Sequence, residues 1–274
     1  MKYLSDREKN PRRIILLTSA VVYDIIMVYK LGGICMLKKE ITNDDYMSIM
    51  ITHECNRKCP FCVDGYRGRN EYISIENFKK HLAVAKAHGC KDISLLGGEP
   101  TLHPQIKELC ELVIADGFNC ILTTNADNLE LVKELSHIVS SINISYYHQK
   151  FLNEIDSSMF GCDFTISALI FKGQLDNQTD LDAYIDKYTS KGFYCKFRTL
   201  QDVNDFTHRR KDATHEFIKS LGGEHFTMYG TLDAYMYRDC IIGISDCLDL
   251  PTFYHSLKGQ VDGEVSRHWK RDNI

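Results

Sequence analysis

The sequence has few prolines, no large excess of charge of one sign and no apolar run long enough to cross a membrane. Its 274 residues include 5 prolines and 17 glycines, and 33 basic against 37 acidic side chains give a net charge of −4. These values exclude a collagen-like or disordered chain. The charge balance gives no reason to expect binding to nucleic acid or to a membrane surface. The length is that of one or two globular domains.

An apolar stretch lies near the beginning of the chain, at residues 14–27. It follows Arg12 and Arg13 and is interrupted by polar residues such as Asp24. It is shorter than the ~20 residues that a membrane-spanning helix needs, and no clear cleavage site of a signal peptide follows it. We therefore expect residues 1–45 to be an N-terminal extension with an appended helix or strand. Two alternatives stay open: a membrane-associated segment, and a true start of the protein at Met36.

Cysteine is the residue type with the most unusual count, eleven in the chain. An odd number cannot be fully paired in disulfides within one chain. A secreted, disulfide-rich protein is usually shorter and begins with a signal peptide. The sequence therefore predicts a cytoplasmic protein whose thiols are reduced and serve metal or redox chemistry.

Short β-rich runs alternate with helical patterns from residue 46 onward. The patterns predict strands at 47–52, 91–96, 118–124, 139–147, 163–171 and 193–200, and helices at 75–88, 104–116, 129–138, 181–191 and 211–221. Such alternation is typical of parallel βαβ units. Six units are too few for a closed eight-stranded barrel, so we predict an α/β core over residues 46–222 with a partial barrel or an open sheet. Residues 223–274 form a C-terminal extension that the pattern leaves unassigned.

Three cysteines stand close together just after the first predicted strand. Cys55, Cys59 and Cys62 have the spacing C-x3-C-x2-C, and loops at the carboxyl ends of parallel strands form the active face of such folds. Thiolates at this density suit an iron–sulfur cluster or zinc. In a zinc site His53 is the candidate fourth ligand. In a four-iron cluster, three protein ligands leave one iron open for catalysis.

The second predicted strand ends in Gly97, Gly98, Glu99 and Pro100, on the same face of the fold. The two glycines let a ligand approach the backbone closely, and Glu99 offers an acceptor for an ammonium group. Alone, this segment is an ordinary turn. One strand after the cysteine motif, it favours an iron–sulfur site over zinc.

Together, the two motifs resemble those of the radical S-adenosylmethionine (SAM) superfamily, and the layout is most similar to its branch of molybdenum-cofactor-biosynthesis enzymes and peptide maturases. Cys55, Cys59 and Cys62 match the family's cluster motif. The residues that match its cofactor-binding positions are Phe61, Gly97, Gly98, Glu99, Pro100, Thr124, Asn125, Ser145 and Arg198. Ala126 departs from the pattern, because the family commonly has a glycine after the Thr-Asn pair. The resemblance covers about residues 47–200 and implies a partial (βα)6 TIM-like barrel.

The resemblance implies an enzyme with two cofactors, a 4Fe-4S cluster held by three cysteines and SAM. In the family, the open iron binds the amino and carboxylate groups of SAM. One electron then cleaves the C–S bond, and a 5′-deoxyadenosyl radical abstracts a hydrogen atom from the substrate. A flavodoxin- or ferredoxin-type electron donor is implied as well.

The resemblance leaves the substrate open. We expect a peptide or another natural product, because the segment between the fifth and sixth predicted strands is most similar to that branch. A nucleotide-derived or other small metabolite is the alternative substrate. A non-catalytic metal-binding protein is the alternative from another functional class.

The other cysteines fall into two main groups, and Cys35 lies in the N-terminal extension. One group has apolar neighbours in predicted elements, which favours buried, inert thiols: Cys90, Cys110 and Cys120. The other group comes late in the chain without a C-x2-C pair: Cys162, Cys195, Cys240 and Cys247. A second cluster and a hydrogen-atom donor to a substrate radical both stay open for this second group.

Two further groups of residues have both a functional and a structural interpretation. Tyr146, Tyr147 and His148 follow the fourth predicted strand, where they either line the substrate or pack in the core. Arg67 and Arg69 follow the cysteine motif, where they either bind a carboxylate or phosphate of the substrate or belong to a solvated loop.

Overall fold

The computed structural model describes residues 25–30, 33–38, 46–59, 62, 68–147, 149–170, 173–201, 215–228, 232–246 and 257–266. The chain divides into two compact units, Met1–Thr42 and Asn43–Ile274. In the first unit, β1 (Ile25–Lys30) and β2 (Gly33–Lys38) form an antiparallel hairpin. The end of the predicted apolar stretch is thus a strand, and its residues 14–24 lie outside the described residues. None of the described helices is long and apolar enough to cross a membrane.

The second unit is built around one sheet. Its strands are β3 (Tyr46–Thr52), β4 (Asp92–Gly97), β5 (Asn119–Thr124), β6 (Ser141–Ser145), β7 (Asp163–Ile170), β8 (Tyr194–Gln201), β9 (Glu224–Met228), β10 (Leu232–Tyr237), β11 (Cys240–Asp246), β12 (Leu257–Gly259) and β13 (Val265–Ser266). The order across the sheet is β13-β12-β3-β4-β5-β6-β7-β8-β11-β10-β9. Every pair from β12 to β11 in this order is parallel. The described sheet is not closed, so the predicted α/β fold with an open, parallel sheet is confirmed.

Helices follow the parallel strands, as predicted. They are α1 (Ile75–Ala87), α2 (Ile106–Ala115), α3 (Leu129–Leu135), α4 (Gln178–Thr189) and α5 (His215–Ser220). The Ser74 hydroxyl caps the start of α1 by accepting from the Asn77 N–H at 3.1 Å, which satisfies an otherwise unpaired donor. Gly89 and Gly117 follow α1 and α2 with φ of +72° and +87°, as expected for glycines that end helices.

The C-terminal extension adds two parallel strands to the predicted core. β11 lies beside β8, and β12 lies beside β3. The buried His81 of α1 contacts the residues around β12: its Nε2 lies 2.8 Å from the Gln260 carbonyl oxygen. Its ring also fills the space beside Gly259, where an added Cβ would lie 2.8 Å from the ring Cδ2. The predicted boundary after residue 222 stays a prediction.

Two buried histidines make the stability of the fold depend on pH. Burial lowers the pKa of His81, although the Gln260 carbonyl and Asp262 oppose this effect. Burial also lowers the pKa of His103, against its hydrogen bond with the Ile73 carbonyl. The folded chain therefore binds fewer protons than the unfolded chain, whose histidines titrate near pH ~6.5. We expect the free energy of unfolding to be at its full value above that pH and to fall as the pH drops below it.

Urea unfolding of the apoprotein at about pH 7.5 and about pH 5.5 measures this effect. The midpoint is expected to be lower at the acidic pH, and the difference is expected to shrink in His81→Gln, whose side chain does not titrate. Carboxylates whose pKa the fold lowers, such as Asp182 beside Arg238, titrate below this window. Equal midpoints at the two pH values, or an unchanged difference in His81→Gln, contradict this explanation.

Candidate active site

The predicted site residues gather where β3, β4, β5 and β6 end. β3 ends at Thr52, directly before the cysteine motif, and β4 ends at Gly97. Thr124 and Ser145 are the last residues of β5 and β6. Because parallel strands present their carboxyl ends at one edge of a sheet, these residues share the edge at which ligands bind in such folds.

The three cysteines lie on a loop whose two ends are fixed to the end of β3. We call residues 53–71 the cysteine loop. At its start, the His53 N–H donates to the Glu71 carbonyl at 3.1 Å, and the Gly68 N–H donates back to the His53 carbonyl at 2.7 Å. The Thr52 hydroxyl donates to the same Glu71 carbonyl at 2.9 Å. The loop thus leaves and rejoins the sheet at one point, which confines the cysteines to the edge of the sheet.

Cys55 and Cys59 are half-buried and Cys62 is exposed. Burial raises the pKa of the Cys55 thiol, and the nearby charges of Glu99, Cys62 and Cys59 raise it further. The Arg57 N–H opposes this by donating to the Cys55 sulfur at 3.4 Å. The three thiols therefore lie within electrostatic reach of one another, and one of their sulfurs already accepts a backbone hydrogen bond.

The chemistry of these thiols suits an iron–sulfur cluster, whose ligands are soft thiolates. Within the described part of the chain, no three His, Cys, Asp or Glu side chains form a group that could hold a single metal ion, and the zinc alternative with His53 stays untested. A four-iron cluster makes a different demand, because each thiolate binds its own iron. Soft thiolate ligands with an N–H donor to sulfur are typical of such clusters.

Gly97 lies against the end of β3, and Gly98 lies against the backbone of the cysteine loop. A Cβ at Gly98 would lie 2.2 Å from the Glu54 carbonyl oxygen, and one at Gly97 would lie 2.5 Å from that of Thr52. The Gly98 N–H donates to Thr52 O at 2.8 Å, and the Glu99 N–H donates to Glu54 O at 2.7 Å. The sequence predicted that a ligand approaches the backbone closely at these two glycines. The structure shows that the end of β3 and the cysteine loop make the close approach, and contact with a ligand stays a prediction.

The Glu99 carboxylate joins the end of β4 to the end of β5. It is 1% exposed. Oε1 accepts from the Thr101 N–H at 3.0 Å, the Thr101 hydroxyl at 2.7 Å and the Thr124 hydroxyl at 2.5 Å. Oε2 accepts from the Asn125 N–H at 2.7 Å. Four donors therefore fix this carboxylate, and its predicted role as acceptor for an ammonium group stays a prediction.

Replacing Glu99 by glutamine is expected to destabilise the fold. The amide NH2 must face either the Thr101 N–H or the Asn125 N–H, so at least one buried backbone donor loses its acceptor. Such a loss costs about 1–3 kcal/mol. Urea unfolding measures the effect, with Glu111→Gln on the exposed face of α2 as the matched control. A change no larger than that of the control contradicts the importance of this network.

The remaining predicted cofactor positions are more dispersed. Pro100 is buried at the start of a 3₁₀ turn. The Ser145 carbonyl accepts from the Gln149 side chain at 2.6 Å, and the same amide lies 3.3 Å from the Asn125 carbonyl oxygen. Arg198 lies on β8, two strands beyond β6. Phe61 lies outside the described residues. The structure thus brings together residues 97–99, residues 124–125 and the cysteine loop. Ser145 is linked to this group through Gln149, and Arg198 lies farther along the sheet.

Ala126, which departs from the family pattern, has a left-handed backbone with φ of +57°. A residue with a side chain pays about 1 kcal/mol for this conformation, whereas glycine adopts it freely. The fold therefore keeps the turn after Asn125 although the glycine is missing.

Sequence reasoning missed a buried lysine on β8. Phe197 contacts Tyr184 of α4, with ring centroids 5.4 Å apart, so its neighbours Lys196 and Arg198 point to the sheet face away from that helix. Lys196 is 6% exposed. Burial lowers its pKa well below the usual range, and the Arg198 charge lowers it further. The sequence contains a signal for this buried lysine, because Lys196 stands between two apolar residues, Cys195 and Phe197.

Tyr146 is half-buried and packs against the core. Its ring contacts Tyr184 and Tyr188 of α4, with centroid distances of 4.9 Å and 6.2 Å. The structure thus supports the packing interpretation, and a contact with the substrate stays a prediction. His148 and Arg67 lie outside the described residues.

The predicted burial of three cysteines is confirmed: Cys90, Cys110 and Cys120 are buried. Cys195 is hydrogen-bonded to Cys240, and this contact together with burial raises the pKa of the Cys195 thiol far above its usual range. Burial raises the pKa of Cys162 to about 12. Among the described residues, no three of these side chains form a group that could hold a metal ion. Cys247 lies outside the described residues.

Comparison with known proteins identifies the domain that carries the site. A sequence profile of the Radical SAM superfamily matches residues 49–150, a range that contains the cysteine loop and the ends of β4, β5 and β6. A GTP 3′,8-cyclase of Actinobacillus succinogenes is 30% identical over 125 residues, covering 42% of this chain and 35% of the relative. A GTP 3′,8-cyclase of Aeromonas hydrophila is 28% identical over 189 residues, covering 58% and 55%. An S-adenosylmethionine-dependent nucleotide dehydratase of a Thermoplasmatales archaeon is 35% identical over 78 residues, covering 28% of each chain.

The fold is similar to that of Streptococcus suis SuiB. The SAM-bound structure has a TM-score of 0.54 at 15% identity and covers 81% of this chain and 60% of that chain. The structure with the precursor peptide SuiA has a TM-score of 0.56 at 14% identity and covers 81% and 59%. At this identity the likeness concerns the fold alone, and the chain spans only 35% and 55% of the two cyclases. Residues 49–150, which include the three cysteines and the Gly-Gly-Glu-Pro segment, thus match the Radical SAM superfamily.

Proposed function

We propose that this chain is a radical SAM enzyme, which holds a 4Fe-4S cluster on Cys55, Cys59 and Cys62 and binds SAM beside it. One observation carries the proposal: the Glu99 N–H donates to the Glu54 carbonyl of the loop that bears the three thiols, and the Gly98 N–H donates to the Thr52 carbonyl directly before that loop. The ligands for a cluster and the residues proposed for SAM therefore form one unit at the carboxyl edge of the sheet. When bound, the cluster supplies the electron that cleaves SAM, and the resulting radical removes a hydrogen atom from the substrate.

We assign the chain's own residues to binding and orienting SAM. Residues 97–100 are assigned to the methionine end of SAM, and Glu99 is the electrostatic partner of its ammonium group. Four hydrogen-bond donors hold the Glu99 carboxylate in place. Thr124, Asn125 and Ser145 supply hydrogen-bonding groups for the ribose and the carboxylate. Arg198 is the cationic partner for the SAM carboxylate. Phe61 is assigned to cofactor binding because it stands directly before the third cysteine of the cluster motif.

We propose a nucleotide-derived metabolite as the substrate class. Two of the relatives are named as enzymes of GTP and of nucleotides. A peptide is the competing substrate class, as in the SuiB structure with its precursor peptide.

An anaerobic assay tests the proposed reaction. The protein is reconstituted with iron and sulfide, reduced with dithionite or with a flavodoxin- or ferredoxin-type donor, and incubated with SAM. We expect roughly four irons per chain and formation of 5′-deoxyadenosine, detected by chromatography. Stimulation by GTP and other nucleotides favours the nucleotide class, whereas stimulation by peptides favours the peptide class. The proposal is overturned if the protein binds metal but neither binds nor cleaves SAM. That result would identify it as a non-catalytic metal-binding protein.

A further inference from the structure

The two residues that follow the first cysteine are bound by the segment after β5. Arg57 donates from Nε to Asp127 Oδ2 at 2.7 Å and from Nη2 to Asp127 Oδ1. Asn56 donates from Nδ2 to the same Oδ2 at 3.1 Å. Asn56 Oδ1 accepts from Asn125 Nδ2 at 2.8 Å. We call these four residues, Asn56, Arg57, Asn125 and Asp127, the loop–strand bridge.

The bridge rests on a rigid base. The Asp127 N–H donates to Asn125 Oδ1 at 2.9 Å, and the Asn125 N–H donates to the buried Glu99 carboxylate at 2.7 Å. Glu99 is in turn bonded through its own N–H to Glu54 of the cysteine loop. Residues 54–57 of the cysteine loop are therefore tied at two separate points, Glu54 to the end of β4 and Asn56 and Arg57 to the segment after β5.

The geometry of the bridge is unlike that of an ordinary surface ion pair. The Arg57 and Asp127 side chains are 19% and 34% exposed, and the guanidinium binds both carboxylate oxygens. Such two-pronged pairs fix orientation as well as charge. Exposed single-contact pairs contribute little, because they cost side-chain entropy and are screened by solvent. The bridge is thus able to hold the backbone of the loop in one conformation.

The conformation that it holds bears on the first cysteine. The Arg57 N–H donates to the Cys55 sulfur at 3.4 Å, so the residue whose side chain binds Asp127 also contacts the first cysteine through its backbone. A loop without such support must lose its conformational freedom when the cluster binds. A loop that is already ordered loses less, so it binds the cluster more readily.

We infer that Arg57 and Asp127 are positioning residues for cluster assembly, which keep the segment between the first two cysteine ligands ordered before the cluster arrives. This inference rests on the proposed function, since it takes Cys55, Cys59 and Cys62 as the ligands. The bridge is expected to order the loop in the apoprotein and to speed the loading of iron. These two effects are measured separately.

Hydrogen exchange of the apoprotein and iron loading after reconstitution test the inference together. The variants are Asp127→Asn, Arg57→Gln and the double variant. Glu134→Gln is the matched control, since it breaks the exposed pair between Lys107 and Glu134, which joins α2 to α3. In each bridge variant, amides of residues 55–59 are expected to exchange about tenfold faster, the effect of losing a charge-assisted pair. The rate of iron loading should fall by a similar factor, and the control should match the wild type.

The double variant is expected to behave like either single variant, because the partners act as a pair. Exchange of the α1 amides in the same experiment shows that each variant is folded. Unchanged exchange of residues 55–59 in Asp127→Asn, unchanged iron loading, or additive effects in the double variant overturn the inference. If the wild type takes up no cluster, the proposed function fails, and the apoprotein exchange alone then decides whether the bridge orders the loop.

Discussion

Replacing Cys59 by alanine is expected to abolish both cluster binding and formation of 5′-deoxyadenosine. Alanine keeps the backbone of the loop, including the Cys59 carbonyl that accepts from the Cys62 N–H at 3.2 Å, but it removes one of three thiolate ligands. Two thiolates leave two irons of a four-iron cluster without protein ligands. Iron content, the brown absorbance of the reconstituted protein and chromatography of the SAM reaction measure the result.

Cys162→Ala is the matched control for this substitution. Cys162 is half-buried and lies directly before β7, outside the cysteine loop. The control is therefore expected to retain its iron and its activity. Retention of a full cluster and of SAM cleavage in Cys59→Ala would show that the ligand assignment is wrong.

Replacing Gly98 by alanine is expected to displace the cysteine loop. The new Cβ would lie 2.2 Å from the Glu54 carbonyl oxygen and 2.7 Å from that of His53, and both are backbone atoms that no rotation of a side chain can move aside. Overpacking of this kind costs about 1–3 kcal/mol. The backbone bonds that join Gly98 to Thr52 at the end of β3 and Glu99 to Glu54 of the loop should weaken as well. We expect a lower urea midpoint and loss of most of the iron taken up on reconstitution.

Gly223→Ala provides the comparison for Gly98→Ala. A Cβ at Gly223 would meet its nearest neighbours at 3.4 Å, an ordinary contact distance, so the stability and iron content should stay close to those of the wild type. Equal behaviour of the two variants would contradict the view that Gly98 is required by the close approach of the loop. Full iron loading in Gly98→Ala would contradict it too.

The local features of this fold were predictable from the sequence because they depend on neighbouring residues. The period of apolar residues in β3 to β8 and in α1 to α4 reveals each element, since every one buries a single stripe or a continuous run. Gly89 and Gly117 mark helix ends, because the left-handed backbone there favours glycine. The cysteine spacing and the Gly-Gly-Glu-Pro segment were recognisable for the same reason, as each lies within a few residues.

The long-range features were not predictable in this way. β11 pairs with β8 and β12 pairs with β3 across large separations in sequence, and no local pattern encodes such pairings. Asp127 and Gln149 are ordinary loop residues until the fold brings Arg57 and Asn125 beside them. The same holds for the bonds that Thr124 and Asn125 at the end of β5 make to Glu99. Such contacts depend on the assembled sheet.

Electron paramagnetic resonance of the reconstituted, dithionite-reduced protein, recorded with and without SAM, tests the central claim most directly. The three-cysteine loop is proposed to leave one iron open to the amino and carboxylate groups of SAM. The spectrum is therefore predicted to show a reduced 4Fe-4S cluster whose signal changes when SAM is added. A protein that holds zinc in place of a cluster, or a cluster signal that SAM leaves unchanged, would contradict the account.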